Sequence, residues 1–216
     1  MGRIERFLFE RFRNELIDLL KYEIDSSTHT LLDVGCGDSS KMEPISKMLS
    51  YTVGVDTFEE SLNKGAQRGI HTEYRKMDVS DITNYFEPHS FDIVLAADLI
   101  EHVSKEAGFQ LLRDMETLAR KRVIVFTPNG FLPQEAYDGN LFQKHVSGWT
   151  CDEMHNLGFR VIGASGVKFI RGERAAIRYK PRFLWERVSW VSQPLVRRFP
   201  KFAFHIFCVK ECGARV

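Results

Sequence analysis

Thr30-Leu31-Leu32-Asp33-Val34 is a short apolar run that ends beside an acid and opens directly into Gly35-Cys36-Gly37-Asp38. Such a run is too short for a stable helix. Lacking polar alternation, it reads as a strand covered on both faces, as in a parallel sheet. The unit repeats along the chain: residues 51–56 (YTVGVD), 71–79 (HTEYRKMDV), 91–100 (FDIVLAADLI) and 122–128 (RVIVFTP) read as further strands. Helical spacing fills the intervals. Helices are predicted from a cap at Ser39 or Ser40 to about residue 50, over 58–69 with a stop at Gly69, and over 105–120. Strands alternating with helices in this way predict an α/β fold, an open parallel sheet with helices on both faces.

Ile4, Phe7, Leu8, Phe12, Leu16, Leu19 and Leu20 recur at three- and four-residue intervals, which predicts an amphipathic helix over 3–22. Beyond Pro128 the pattern loosens into a loop rich in Gly, Pro, Asn and aromatics. A helix over 150–157, a strand from Gly158 and a last strand over 203–210 follow. Residues 182–200 read as a helical, basic, aromatic insertion. With 216 residues, 44% of them hydrophobic, the chain is expected to be a single domain. Its parts would be an N-terminal helix (1–25), a ligand-binding core (26–167), the insertion (168–201) and the last strand (202–210).

The net charge of +1 advertises no nucleic-acid or membrane partner. Residues 160–210 nevertheless hold twelve Lys/Arg against two acids, a local +10. Cys36, Cys151, Cys208 and Cys212 form no CxxC pair, so neither a zinc site nor a disulfide framework is indicated. No apolar stretch approaches the ~18 residues of a spanning helix. The expectation is a cytoplasmic protein without signal peptide or membrane span.

Open parallel sheets bind ligands beyond the carboxyl ends of their strands, where strand order reverses. Residues 33–40, 56–58, 77–80, 96–102 and 127–130 are therefore the places to search. A glycine after a strand admits positive φ and lets a ligand approach the backbone. A dinucleotide loop would have a third glycine where Ser40 stands, and Asp33 would repel a pyrophosphate but suit a cation.

That combination resembles motif I of the class I S-adenosylmethionine-dependent methyltransferases, and the resemblance runs from about Leu31 to Lys210. It implies a Rossmann-like, doubly wound, mostly parallel sheet of seven strands and S-adenosyl-L-methionine as cofactor. It implies Asp33 and the Gly35-Cys36-Gly37 backbone at the cofactor. Asp56 would accept the ribose hydroxyls, Asp78 would take the adenine amino group, and Val79 would offer a backbone donor to the ring. Ala97 and Asp98 would stand at the methionine moiety and substrate. Cys36 is expected to serve only as a small residue, not as a thiolate.

Methyl transfer from a sulfonium is an in-line displacement, and a base is needed only for an acidic acceptor such as a hydroxyl. His102 and His145 are the expected catalytic residues, with no metal assigned. Pairing of Glu101 with His102, or capping of the next helix by either, is the plain structural reading. A metal alternative comes from a second resemblance. Asp98, Glu101 and His102 are similar to the ExxEH segment of ubiquinone-pathway O-methyltransferases and small-RNA 2′-O-methyltransferases, with the first acid shortened. Thr127-Pro128-Asn129 and His145-Val146-Ser147-Gly148-Trp149-Thr150 are similar to the RNA enzymes' TPN and HxxxWT segments. Together these residues could hold a divalent ion.

The basic aromatic insertion suits a membrane interface, a roof over the cleft, or plain packing with a solvated basic face. The chain's ending is similar to that of methyltransferases acting on glycan or polyprenyl-linked molecules. The expected partner is therefore a small-molecule, glycan or lipid-linked acceptor, methylated at oxygen, with peripheral membrane contact through 181–200. The alternatives are a metal-dependent RNA 2′-O-methyltransferase, or a non-catalytic cofactor-binding or peripheral membrane protein. Against RNA, no RGG tract or recognisable RNA-binding module accompanies the basic segment.

Overall fold

A computed structural model describes residues 15–136, 141–172 and 175–213. The helix predicted over 3–22 thus lies largely outside the described residues. What is described is α1 (Glu15–Glu23), which buries Leu16, Ile17 and Leu20. Two of its acids reach β6 (Arg160–Val167): Glu15 Oε2 accepts from the Ser165 amide at 2.7 Å, and Glu23 Oε1 from Arg160 at 2.7 Å.

Chain order continues β1 (Thr30–Val34), α2 (Glu43–Ser46), β2 (Tyr51–Asp56), α3 (Glu59–Arg68), β3 (Glu73–Lys76), α4 (Ile82–Tyr85), β4 (Phe91–Ala97), α5 (Lys105–Leu118), β5 (Ala119–Pro128) and α6 (Cys151–Asn156). After β6 come α7 (Arg182–Val191), α8 (Gln193–Arg198) and β7 (Ala203–Glu211). The seven strands lie in the order β3-β2-β1-β4-β5-β7-β6, the first five mutually parallel and β7 antiparallel to both its neighbours. The expected doubly wound α/β sheet of seven strands is present. One apolar layer fills each face of it, around Val94, Met115 and Ile206 on one side and Leu20, Leu95 and Phe207 on the other.

Local chemistry explains most boundaries. Gly69 ends α3 in the left-handed region (φ 62°). Thr150 and Glu153 form a reciprocal capping box on α6, and Ser104 caps α5 by accepting from the Ala107 amide. Ser104, and not Glu101 or His102, is therefore the cap before α5. The helix expected from Ser39 or Ser40 to residue 50 is cut to α2. Ser39 sits at φ 53° and caps nothing, and Pro44 in the first turn lets a helix start only there. β3 is shorter than predicted because Asp78 turns the chain by accepting from the Ser80 amide. β4 stops at Ala97 because Asp98 takes φ 52°. The single helical insertion is two helices, α8 starting afresh with Pro194 in its first turn. No described helix is long and apolar enough to cross a membrane.

Candidate active site

Strand order reverses between β1 and its neighbour β4, and a cleft of about 800 Å³ opens at the carboxyl ends of the parallel strands. The loop after β1 forms one wall. Gly35 (φ 68°) donates its N–H to Val55 O at 2.8 Å, and a Cβ there would lie 2.5 Å from Leu99 Cδ1. Gly37 (φ 54°) has open space where its Cβ would be. Its N–H donates to Asp56 Oδ2 at 2.8 Å, while Asp56 Oδ1 accepts from the Phe58 amide at 2.8 Å. The Cys36 thiol is pushed well above its ordinary range by burial and then by the nearby Asp33 carboxylate, so it stays protonated.

Asp33 lines the cleft but is buried, and one of its oxygens is engaged: Oδ2 lies 3.1 Å from His71 Nε2. A carboxylate only accepts, so that ring nitrogen carries the hydrogen. His71 Nδ1 is buried without a partner. His71 was not singled out from the sequence, because the strand it precedes offers no sign that its side chain turns under the glycine loop. Ala97 also lines the cleft. Asp56, Asp78 and Val79 lie outside that lining. Asp78 is exposed, its Oδ1 taking both the amide (2.9 Å) and the hydroxyl (2.8 Å) of Ser80.

The turn after β4 and the elements around it bring titratable groups to the cleft. Asp98 Oδ2 meets Lys41 Nζ at 3.0 Å, and its Oδ1 is 3.9 Å from His205 Nε2. Burial works to raise the Asp98 pKa, but Lys41 and His205 outweigh it and hold the carboxyl below its ordinary value. Glu101, three residues on, is buried, with Thr127 Oγ1–H donating to its Oε2 at 2.8 Å. Burial first, and the Asp98 charge second, push Glu101 up to about 8. Two adjacent acids therefore sit in opposite states near neutral pH.

His102 Nδ1 lies 3.1 Å from Lys144 O and His145 Nδ1 2.7 Å from Leu132 O. A carbonyl only accepts, so both rings donate from Nδ1, and in the neutral form each keeps a lone pair on Nε2. Their rings meet edge to face with centroids 4.7 Å apart. Burial lowers the His102 pKa, so the neutral form prevails at pH 7. The segment bearing His145 is strapped down: the Val146 and Ser147 amides donate to Glu101 O (2.9 and 3.1 Å), and the fully buried Trp149 donates Nε1–H to Ile100 O at 3.1 Å. Ligand atoms of Glu101, His102 and His145 all lie within 4.8 Å of one another. Asp98, turned to Lys41, is not among them.

His205 completes this group and was also missed. Because β7 runs antiparallel, its third residue pairs with Pro128, at the carboxyl end of β5 and beside the cleft. His205 Nδ1 is 2.8 Å from Ser165 Oγ, and burial takes its pKa down to about 4. The alternating pattern of 203–210 locates the strand but says nothing of its direction.

Residues 32–132 match the pattern of a known family, described as a methyltransferase domain. The ubiquinone biosynthesis O-methyltransferase of Hahella chejuensis is 31% identical over 82 residues, 36% of this chain and 34% of that protein. Over residues 32–132, a little under half of the chain, the sequence is similar to the S-adenosylmethionine-dependent methyltransferases. In fold it is similar to a SAM-dependent methyltransferase from Archaeoglobus fulgidus, with TM-score 0.58, 19% identity, and 95% and 99% of the two chains covered. It is also similar to the SAM-bound magnesium protoporphyrin IX methyltransferase of Synechocystis, with TM-score 0.56, 16% identity, and 95% and 81% covered. The matched stretch spans about a third of the length of the curated relatives.

For a methyltransferase of this class the glycine loop has the right chemistry. The open space over Gly37 is a cradle for a ligand lying against the backbone, and the buried Asp33 carboxylate beside it favours a cation over a phosphate.

Proposed function

We propose that this protein transfers the methyl group of S-adenosyl-L-methionine to an oxygen of a small-molecule or lipid-linked acceptor, working at the periphery of a membrane. The observation that carries the choice of oxygen is the convergence of Glu101, His102 and His145 in the lining of the same cleft as the glycine loop. When bound, the cofactor supplies an electrophilic methyl carbon on a sulfonium. Asp33 and the Gly35–Gly37 backbone hold its charged end, and Asp56 fixes the loop by accepting from Gly37. Asp78 and Val79, just beyond β3 and outside the cleft lining, would have to receive the adenine there.

On the acceptor side, the free Nε2 lone pair of His145 or His102 takes the hydroxyl proton. Protonated Glu101 donates a hydrogen bond that orients the same oxygen. Trp149 holds the His145 segment against the turn carrying Glu101, so base and acid share one rigid frame.

A second reading rests on the same trio. Two imidazoles oriented through Nδ1, beside a carboxylate, fit a first-row divalent ion, which would ionise Glu101 and polarise the acceptor oxygen. Incubation of the protein and methyl-labelled cofactor with fractionated cell extract tests both. Label is expected in a small-molecule or lipid fraction, with loss in His145→Ala. Activity that survives a chelator at full rate excludes the metal version, and label that stays in the cofactor defeats the whole proposal.

A further inference from the structure

We propose that the outward face of α7 and α8 is a docking surface for an anionic lipid bilayer. The inference deepens the peripheral location put forward above. A surface helix ordinarily turns its apolar stripe inward, and here much of the apolar surface faces outward. The one fully buried residue of α7 is polar: Ser189 donates to Ser165 O at 3.2 Å and accepts from Arg171 at 3.0 Å, while half-buried Trp185 and the buried Val196 of α8 supply the inward apolar contact. Two glycines of β6 make room for the helix pair. A Cβ at Gly163 would fall 2.1 Å from Val196 O, and one at Gly166 would fall 2.3 Å from Ser189 Oγ. The pair is therefore seated on the sheet without its outer residues.

Those outer residues are apolar. Leu184, Val188, Val191 and Leu195 follow one another at helical intervals and are 47%, 41%, 68% and 52% exposed. Of the sixteen large hydrophobic side chains exposed among the described residues, eight lie within 183–202. A concentration of this kind on a monomer marks a binding surface.

Charge selects the occupant. Arg182, Arg187 and Arg198 are exposed and have no acidic partner among the described residues. Glu186 is the one acid in the sequence between residues 175 and 210. A bilayer interface accepts apolar side chains and cations from the same helix, the first among the acyl boundary and the second at the anionic headgroups. None of these residues lines the cleft, so docking leaves it open.

The test is flotation of the full chain with vesicles of phosphatidylcholine alone or mixed equally with phosphatidylglycerol, without cofactor or acceptor. Failure of the methyl-transfer proposal therefore leaves this result untouched. Binding is expected to the mixed vesicles only and to weaken in high salt. Each Arg→Glu change at 182, 187 or 198 should lower partitioning by about fivefold or more. Leu184→Ser with Val191→Ser should abolish it while the thermal midpoint stays within a few degrees of wild type. Three results would overturn the proposal: no binding, equal binding to uncharged vesicles, or a concentration-dependent dimer in light scattering that Leu184→Ser dissolves. The last would make the face an interface between copies of this chain.

Discussion

The Gly37 amide donates to Asp56 Oδ2 over 2.8 Å, so the acid that closes β2 is built into the glycine loop and does not stand apart from it. The other carboxylate oxygen holds the Phe58 amide at 2.8 Å. Ligand affinity and loop shape are thereby linked through one side chain.

Asp56→Asn separates the two oxygens. An amide has one accepting oxygen, so either Gly37 or Phe58 faces an NH₂ group in its place. Hydrogen bonds to a charged group are worth about 1.5–3 kcal/mol, so affinity for S-adenosylhomocysteine should fall about tenfold to a hundredfold. Calorimetric titration reads this directly, and wild-type affinity in the variant would remove Asp56 from the site.

The two loop glycines should fail differently. Alanine at either position meets a left-handed backbone, which costs about 1–2 kcal/mol. At Gly35 the new methyl must also displace Leu99, whereas at Gly37 it meets nothing. Gly35→Ala should thus lower the melting midpoint by more than Gly37→Ala, whose expected drop is about 2–8 °C. Gly37→Ala should lose cofactor affinity instead. Equal melting points with equal affinities would contradict this account.

Glu101 predicts a loss of stability toward alkaline pH in chelator-treated protein. Its pKa rises from an ordinary 4.5 to about 8 on folding, chiefly by burial and then by Asp98. The folded state thus binds the proton more tightly. The associated stability is complete below about pH 4.5 and disappears as pH rises through 8. Glu101→Gln keeps an acceptor for Thr127 and cannot ionise. Its denaturation midpoint should gain on wild type from about pH 4.5 to about pH 8 and level off above that, the window set by the shift. Parallel curves would show that Glu101 does not titrate in this way.

His205 predicts the opposite slope on the acid side. Burial, opposed by Asp98 and helped by Lys41, Arg171 and His145, takes its pKa from an ordinary 6.5 down to about 4. The unfolded chain then binds the proton more readily. Stability present above pH 6.5 is lost as pH falls through 4. His205→Gln should flatten that acid limb in urea titrations while leaving the alkaline limb unchanged. An unaltered acid limb would show that His205 stays solvated.

Much of this was legible before any coordinates. Apolar runs closing on Asp33 and Asp56 announced parallel strands. Gly69 marked a helix end through chemistry acting over a few residues. His102 and His145 stood out as residue types suited to proton transfer, and folding sets their rings 4.7 Å apart. Such features are readable because period, capping and turn geometry depend on near neighbours in the chain.

His71 beneath Asp33, Lys41 on Asp98 and His205 against Ser165 depend on contacts between residues 38, 57 and 40 positions apart. No local pattern encodes them. The reversed direction of β7 is what brings His205 to the cleft, and strand direction follows from how the chain returns to the sheet. Protonation was settled at the same level. Asp98 and Glu101 are nearly adjacent acids, yet Lys41 and His205 hold the first down while burial and the Asp98 charge push the second up, because desolvation and Coulomb fields act through space and not along the chain.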